Sequence, residues 1–263
     1  MQIKIIHLNI ERDKHIETVT KFFDSEKADI ICLCEVAESS AQKWAKMFGY
    51  EFVFSALFNS SDGKYGSAIL SKKSILESSN LRYDEEISNN LPFITFNNDY
   101  KNTDYKRPKD RFLYHYAVLT ITVENDKGKK ITISTTHFPV TDHFSPGLPD
   151  HVYNEPSDIE ELNHTRVLFD KFMSLIKNIS NPIIFTADIN NPRGEYVYDT
   201  LAHELIDLTP QDVVSTIDPD LHYRKGLSLV VDTIMISPDV QAEKVNVISG
   251  VSDHKAIIAL LDV

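Results

Sequence analysis

The hydrophobic pattern of the first half of the chain alternates between strand-like and helix-like segments. The alternation in "IKIIHLNI" predicts a strand, and the next segment predicts a helix whose apolar face consists of Ile16, Val19, Phe22 and Phe23. The apolar run "DIICLCEV" predicts a second strand, and "SSAQKWAKMFGY" predicts a helix that serines open and Gly49 closes. "YGSAILSK" is a further predicted strand. Strands and helices that follow one another in this way indicate a mixed α/β fold.

The second half of the chain continues this pattern with a hairpin, more strands and two helices. The segment "RFLYHYAVLTITVENDKGKKITISTTHF" predicts a β-hairpin that turns around Gly128. A long helix is predicted next, with an apolar stripe of Ile159, Leu162, Phe169, Phe172, Met173 and Ile176. The last predicted elements are the strand "PIIFTADI", a helix around "EYVYDTLAHEL", and the strands "SLVVDTIMIS" and "KAIIALLDV". No linker-like change of composition interrupts them, so we expect one domain over residues 1–263.

Length and composition are those of an ordinary globular protein. The 263 residues, 42% of them hydrophobic and 25% charged, suffice to bury a substantial core. No apolar run is long enough to cross a bilayer and no segment reads as a targeting signal, so we expect a cytoplasmic protein without membrane insertion. Cys32 and Cys34 lie in one predicted strand and are expected to be buried and reduced. No feature of the sequence indicates an obligate protein partner.

The charge of the chain narrows the possible partners. A net charge of −12 works against tight, sequence-independent binding of long nucleic acid, which requires many phosphates to be neutralised. The densest basic segment is "KNTDYKRPKDR", residues 101–111. A solvated loop explains that segment better than a phosphate-binding patch does.

Polar side chains occur where several of the predicted strands end. They are Asn9, Glu35, His137, Asp188 with Asn190, Asp232, and the adjacent pair Asp253 and His254. A buried carboxylate without a partner is costly, so such positions usually contain a compensating side chain or a metal. Residues two apart in a strand share a face, which would point Asp188 and Asn190 into one site. Taken singly, these residues also have ordinary interpretations as turn residues, solvated strand ends or a satisfied core histidine.

Seven segments between residues 3 and 262 resemble, in order and spacing, the motifs of the endonuclease/exonuclease/phosphatase superfamily. They are "LNIE", "CLCEV", "YGSAILSK", "TTHF", "FTADIN", "VVDTIMIS" and "GVSDHKAI". The superfamily includes DNase I, abasic-site endonucleases, tyrosyl-DNA phosphodiesterases and sphingomyelinases. The resemblance implies a DNase I-like, four-layer α/β/β/α sandwich with its site at one end of the sheets. It also implies hydrolysis of a phosphate ester with a divalent cation, Mg²⁺ or Mn²⁺, which agrees with the oxygen ligands available.

The resemblance also implies roles for the metal-binding and water-activating residues. Glu35 would be the principal metal ligand, and Asn9 and Asp253 would complete or flank the site. Asp188 would orient or deprotonate the attacking water. Asn190 would hold a phosphate oxygen.

Two histidines would act on the phosphate according to the same resemblance. His254 would stabilise charge in the transition state, while Asp232 would fix its tautomer and keep it protonated. His137 would contact the phosphate or protonate the leaving group. The sequence does not identify a carboxylate partner for His137.

Departures from the family pattern disfavour some branches of the superfamily. Abasic endonucleases carry tyrosine at the position of His137 and an aromatic residue in the segment leading to Asp232, so abasic-site repair is disfavoured. Secreted sphingomyelinases and DNase I are disfavoured because the chain lacks a signal peptide and disulfides. Tyr223 and Arg224 are candidate substrate-binding residues beside the cleft. The connector at 140–157 is interpreted as a substrate-selecting lid, a second metal site or a solvated loop.

Three functions are consistent with this reading of the sequence. The leading hypothesis is a metal-dependent phosphodiesterase acting on a nucleotide derivative, a short nucleic-acid end or a similar small diester. The first alternative is an endonuclease or exonuclease on longer DNA or RNA, against which the acidic charge argues. The second alternative is a catalytically silent scaffold that uses the fold only to bind a partner.

Overall fold

The computed structural model describes residues 2–83, 90–94, 114–139, 156–179 and 182–263. In chain order the elements are β1 Gln2–Asn9, α1 Ile16–Glu26, β2 Ile30–Ala37, α2 Glu38–Phe48, β3 Glu51–Ser60, β4 Gly63–Ser71, β5 Glu77–Arg82, β6 Ala117–Glu124, β7 Lys130–His137, α3 Pro156–Lys177, β8 Ile183–Asp188, α4 Tyr196–Glu204, β9 Ile206–Asp207, β10 Asp232–Ile236, β11 Gln241–Ile248 and β12 Ala256–Asp262. The basic segment 101–111 and residues 140–155 of the connector lie outside the described residues.

Two six-stranded mixed sheets form the centre of the molecule. The strand order is β11-β12-β1-β2-β4-β3 in the first, called sheet I, and β5-β6-β7-β8-β10-β9 in the second, called sheet II. One pair in each sheet is parallel, β1 with β2 and β7 with β8. These two parallel pairs bring strand carboxyl ends together, which is where binding sites of α/β proteins commonly form.

The strands alternate between an inner face toward the other sheet and an outer face toward helices. In β1, Ile3 and Ile5 join an aliphatic cluster with residues of both sheets, whereas Ile6 and Leu8 pack on the other side with Trp44 of α2. The side chains of α3 and α4 cover sheet II in a third cluster, rich in aromatic residues. The result is the predicted DNase I-like, four-layer α/β/β/α sandwich.

The helices agree with the prediction in position, and one detail was wrong. Gly49 ends α2 in the left-handed conformation, at φ 73°, with its N–H donating to the Ala45 carbonyl. The serines do not open this helix, because Ala37 occupies the capping position and no side chain caps it. Ser40 instead donates its hydroxyl to Asp13 at 2.9 Å.

Strand β10 begins later than the pattern "SLVVDTIMIS" predicted. Its first residue is Asp232, and residues 228–231 precede the strand. The N–H groups of Val231 and Asp232 both donate to the Thr216 hydroxyl at 3.0 Å, so side chains satisfy them in place of a neighbouring strand. Asp232 therefore stands at the edge of the ladder, where its side chain faces the site.

Gly66 permits the close approach of β3 and β4. A Cβ atom at this position would lie 1.9 Å from the Ser55 carbonyl oxygen. The contact falls where the register of β3 and β4 shifts, between Ala56 and Phe58. No side chain could occupy that space without moving backbone, which explains the glycine of "YGSAILSK".

In the described part of the chain, no helix combines the length and apolar character needed to cross a membrane.

Candidate active site

Three strand ends of sheet II place His137, Asp188 and Asp232 in one row. The parallel pairing of β7 with β8 sets His137 beside Asp188, and the antiparallel pairing of β8 with β10 sets Asp188 beside Asp232. Directly paired residues project from the same face of a sheet. Asp188 is 1% exposed and Asp232 fully buried. The two carboxylates thus lie side by side at the end of the buried layer between the sheets.

Sheet I contributes Asn9 and Glu35 from the facing side. Glu35 lies where the pairing of β2 with β4 is interrupted by a bulge, and its φ is 55°. The Asn9 amide nitrogen donates to Glu35 Oε1 at 3.1 Å and to Asp188 Oδ2 at 2.8 Å. Asn9 therefore connects the two sheets at the site.

The oxygen of the Asn9 amide also takes part in a hydrogen bond. Asn9 Oδ1 accepts the backbone N–H of Glu11 at 3.1 Å. Burial by itself would raise the pKa of Glu35, but His137 and the Asn9 amide outweigh it and hold the pKa below 4.5. In this geometry the Asn9 amide nitrogen orients the Glu35 carboxylate, and the Glu11 N–H uses one lone pair of Asn9 Oδ1.

Asn190 reaches the site by a turn and not by strand alternation. The residue follows the end of β8 with φ of 51°, and its N–H donates to Asp188 Oδ1 at 3.0 Å. Its amide nitrogen lies 2.8 Å from His137 Nε2 and 3.0 Å from the Phe138 carbonyl oxygen. The interpretation that Asp188 and Asn190 share one strand face was wrong, although both side chains do point into the same site.

His137 contacts two carboxylates at longer range. Its Nε2 lies 3.8 Å from Glu35 Oε1 and 3.7 Å from Asp188 Oδ2. These are the carboxylate neighbours that the sequence did not identify. The Asn190 amide group contacts this same Nε2, and Nδ1 is buried without a hydrogen-bond partner among the described residues.

His254 forms an ion pair with Asp232. Its Nδ1 lies 2.8 Å from Asp232 Oδ2 and 3.9 Å from Asp188 Oδ2. Burial alone would lower the pKa of His254, but the carboxylates of Asp232, Asp188 and Asp253 raise it well above 6.5. The three carboxylates therefore favour the charged form of the imidazole.

The pKa values of the two paired aspartates, Asp188 and Asp232, shift in opposite directions. Burial and the neighbouring Asp232 raise the pKa of Asp188, against opposing effects of His254, His137 and Asn9. Burial also acts to raise the pKa of Asp232, but His254 and His7 outweigh it and lower the pKa below its usual range. Neighbouring carboxylates whose pKa values are driven apart are typical of acid–base sites.

Two site residues, His7 and Glu11, were missed by sequence reasoning. His7 Nε2 lies 3.2 Å from Asp232 Oδ1, and both side chains are fully buried. Glu11 follows β1 with φ of 44° and its side chain contacts His15 at 3.3 Å. A signal for Glu11 existed, since Asn9 and Glu11 repeat the polar-x-polar spacing of Asp188 and Asn190.

Asp253 lies with Glu11 and His15, on the flank of the site. It is 4% exposed, and the only hydrogen bond described for its carboxylate comes from the Ser252 hydroxyl at 3.1 Å. Burial is the main cause that raises its pKa to about 7, and Glu11 and Glu35 add to the effect while His254 opposes it. Burial and the neighbouring carboxylates therefore disfavour the charged form of Asp253.

Three groups of the described residues could hold a metal ion. They are Glu35 with His137 and Asp188, Glu11 with His15 and Asp253, and Asp188 with Asp232 and His254. Within each group the donor atoms lie within 4.8 Å of one another. Hydrogen bonds within the chain engage members of all three groups: Asn9 donates to Glu35 and Asp188, His15 contacts Glu11, and Asp232 contacts His254.

Tyr223 and Arg224 lie on the segment beside His254. The His222 ring, which is 7% exposed, contacts the His254 ring with centroids 6.3 Å apart and the Tyr223 ring at 4.6 Å. Tyr223 is 56% exposed, and the Arg224 guanidinium lies 5.7 Å from its ring centroid. His222 thereby connects the segment that carries these two side chains with His254.

Comparison with known proteins agrees with this arrangement. The sequence model of the Endonuclease/Exonuclease/phosphatase family matches residues 6–254. No curated protein sequence matches the chain significantly.

Solved structures resemble the chain over its whole length. An endonuclease/exonuclease/phosphatase from Bacteroides vulgatus superimposes with a TM-score of 0.70 at 15% identity, covering 100% of this chain and 99% of that one. ANGEL2, a 2′,3′-cyclic phosphatase, in complex with adenosine-2′,3′-vanadate, gives 0.68 at 13% identity, covering 99% and 95%. TDP2 of D. rerio complexed with a single-strand DNA product gives 0.62 at 16% identity, covering 100% and 99%.

These similarities at low identity establish the fold, and the family match establishes kinship. The matched region begins in β1 and ends at His254, so it includes every strand end that faces the site. The chain belongs to the endonuclease/exonuclease/phosphatase family.

Proposed function

We propose that the protein is a divalent-metal-dependent phosphodiesterase that hydrolyses a nucleotide derivative, a short nucleic-acid end or a similar small diester. The observation that carries the proposal is the row of His137, Asp188 and Asp232, which Asn9 and His254 join from sheet I. A purely structural core would not place two buried carboxylates side by side, because each costs free energy when ionised.

Asp188 is the proposed base for the attacking water. Burial and Asp232 raise its pKa, so the carboxylate accepts a proton more readily than an exposed aspartate does. Its two oxygens are held by the Asn9 amide and the Asn190 N–H, which fixes the direction of the free lone pairs. A water molecule bound to Asp188 would therefore be oriented before the reaction begins.

His254 is the proposed stabiliser of the charge that develops on the phosphate. Asp232 accepts its Nδ1 proton at 2.8 Å, which leaves the Nε2–H to donate to a phosphate oxygen. The raised pKa keeps the ring charged while that negative charge grows. Asn190 is proposed to position His137, because the hydrogens of its amide nitrogen are directed to the His137 ring and the Phe138 carbonyl.

The donor set fits Mg²⁺ or Mn²⁺, since hard cations prefer carboxylate oxygens. The pKa of Asp253 is raised to about 7 by burial and by Glu11 and Glu35, so a cation bound there would stabilise its ionised form. We propose Glu35 and Asp253 as ligands, with Glu11 beside them and with Asn9 orienting Glu35. When bound, the cation would polarise a phosphoryl oxygen and offset its charge.

The small size proposed for the substrate rests on charge and on the structural relatives. A net charge of −12 disfavours a long polyanion, whereas a short diester needs only the few donors described above. Two structural relatives are a 2′,3′-cyclic phosphatase and a protein complexed with a single-strand DNA product. Tyr223 and Arg224 at the rim would contact the group attached to the phosphate.

The test is hydrolysis of bis(p-nitrophenyl) phosphate with Mg²⁺, with Mn²⁺ and with EDTA. We expect metal-dependent turnover that Asp188→Asn lowers by about 10²- to 10⁴-fold. Asp126→Asn is the matched control, because this exposed residue lies in the β6–β7 turn at the opposite end of the sandwich. It should retain wild-type turnover.

Further substrates separate the three functional hypotheses. Cyclic nucleotides and short oligonucleotides should be cleaved with a shallow salt dependence, whereas a nuclease acting on long DNA would show a steep one. A wild-type protein that is inert toward diesters, monoesters and DNA ends with either metal would favour the silent scaffold.

A further inference from the structure

We propose that His7 is a positioning residue, which holds Asp232 in the orientation that Asp232 needs to align His254. His7 contributes no atom to the cleft, since its side chain is fully buried. It acts through Asp232, whose other oxygen contacts His254. The kinetic part of this inference rests on the proposed function.

The position of His7 in β1 directs its ring at Asp232. Residues alternate along the strand, so His7 shares the inner face with Ile5 and Asn9. Its neighbours in the ladder are Cys32 of β2 and Ile257 of β12. Within this apolar surrounding, the contact from His7 Nε2 to Asp232 Oδ1 at 3.2 Å is the polar interaction described for the ring.

The hydrogen bonds define which nitrogen of His7 carries the proton. Asp232 accepts from both sides, so His7 must donate through Nε2. His7 Nδ1 is buried and has no hydrogen-bond partner among the described residues. A proton on Nδ1 would be a buried donor without an acceptor, whereas an unpaired acceptor there is less costly. The Nε2–H tautomer is therefore the one that fits.

The contacts of Asp232 leave its carboxylate little freedom to rotate. Oδ1 accepts from His7, Oδ2 accepts from His254 at 2.8 Å, and the backbone N–H donates to Thr216 at 3.0 Å. Asp188 lies directly beside it in the sheet and repels it. Without His7, that repulsion would act on a carboxylate held by His254 alone.

The chain of contacts from His7 through Asp232 to His254 crosses the sandwich twice. His7 belongs to sheet I, Asp232 belongs to sheet II, and His254 precedes β12 of sheet I. The two imidazoles therefore clamp one carboxylate from the opposite sheet. The separation of the sheets at the site and the orientation of His254 are set by the same contacts, which an aliphatic side chain at position 7 could not provide.

The experiment compares His7→Leu, which fills space without a donor, with His7→Gln, whose amide can donate to Asp232. Ile5→Ala is the packing control, because Ile5 lies two residues away on the same face and outside the site. We expect His7→Leu to lower kcat by about 10- to 100-fold with KM unchanged, as is usual when the support of an active-site residue is removed. His7→Gln should recover most of the loss, and Ile5→Ala should lower the unfolding temperature without changing kcat.

A second measurement does not require turnover. In proton NMR of ¹⁵N-histidine-labelled protein, the hydrogen-bonded Nδ1–H of His254 should give a downfield resonance, assigned by its loss in His254→Gln. We expect His7→Leu to shift or broaden this resonance, and Ile5→Ala to leave it in place.

Two results would overturn the inference. One is a folded His7→Leu variant whose His254 resonance is unchanged. The other, in an active wild type, is a His7→Gln variant that is folded but no more active than His7→Leu. If the wild type itself is inert toward diesters, the proposed function fails while the resonance still tests the role of His7.

Discussion

The two ends of the layer between the sheets are built from the same strands and have opposite properties. In β1, Ile5 packs in the aliphatic cluster, and Asn9 on the same face lies in the site. In β8, Ile184 likewise packs in the aliphatic cluster, and Asp188, four residues later on the same face, lies in the site. The clustered side chains of one end are aliphatic, whereas the other end places carboxylates and imidazoles at equal depth.

This difference teaches that stability and chemistry are separated along the strands. Burial of aliphatic groups stabilises the first end. The second end carries charges that burial disfavours, as the raised pKa values of Asp188 and Asp253 show. Substitutions at the polar end should therefore change activity more than stability, and substitutions at the apolar end should do the reverse.

The largest effect is expected from breaking the pair of Asp232 and His254. Each of Asp232→Asn and His254→Gln should lower kcat by about 10²- to 10⁴-fold. Because the two residues act as one unit, the double variant should be no worse than the poorer single variant. Steady-state kinetics of the wild type, the two single variants and the double variant form a double-mutant cycle. If the kcat losses of the single variants multiply in the double variant, the two residues act independently.

The next largest effect is expected on stability, at the apolar end. Ile184→Ala should lower the free energy of unfolding by about 2–5 kcal/mol, since it removes a fully buried side chain and leaves a cavity. Its kcat should be unchanged below the unfolding transition. Val167→Ala is the matched control, because Val167 is 48% exposed on α3, and it should change stability by less than about 0.5 kcal/mol. Denaturant titration measures both.

A smaller effect concerns the coupling of metal binding to pH. The folded pKa of Asp253 is raised to about 7 by burial, Glu11 and Glu35, whereas an unfolded aspartate has a pKa of about 3.9. Its ionised form therefore destabilises the metal-free fold fully above about pH 7, and this cost is relieved as the pH falls toward the unfolded value. Mg²⁺ needs the ionised form, so the rise in unfolding temperature on adding Mg²⁺ should be greater at about pH 8 than at about pH 6.

Asp253→Asn tests the origin of this coupling. In this variant, the rise in unfolding temperature from EDTA to Mg²⁺ should be the same at both pH values. An equal response to Mg²⁺ at both pH values in the wild type would argue against Asp253 as a ligand.

The smallest effect is expected in the alkylation of the two thiols of β2, Cys32 and Cys34. Burial raises the pKa of Cys32 to about 12 and that of Cys34 well above 9.0. Only the thiolate reacts with iodoacetamide, so neither residue should be alkylated in the native protein at neutral pH. Mass spectrometry before and after denaturation checks this, and rapid labelling of the native protein would contradict the burial described here.

The sequence predicted the central strands of both sheets and missed all four edge strands. β3, β5, β9 and β11 stand at the edges, and β5 is exposed over most of its length. Central strands bury both faces and read as apolar runs, whereas the edge strand β5, "ESSNLR", contains little apolar sequence and takes its hydrogen bonds from β6. The edge strand β3, "EFVFSALFNS", is apolar, so its omission has no such reason. Local pattern therefore identifies the core strands but not the limits of the sheets.

The site was predictable where a charged residue interrupts an apolar strand, as Asp188 and Asp232 do. His7 escaped because one histidine in an apolar strand is ordinarily a core residue, and its partner is 225 positions away in the chain. The turn that orients Asn190 was not predicted, for a different reason. Asparagine tolerates the left-handed backbone of this turn, and the partners of its amide, His137 and Phe138, lie 53 and 52 positions earlier in the chain.

The bulge at Glu35 has a consequence for how freely this position can vary. Its φ of 55° is a conformation that glycine, asparagine and aspartate accept readily and that β-branched residues resist. A library of substitutions at position 35 would therefore be filtered twice, first by the backbone and then by the chemistry of the side chain. Selection for folding alone should enrich glycine and asparagine there. Selection for turnover should recover glutamate or aspartate, so the difference between the two outcomes measures how much the fold gives up at this residue for its function.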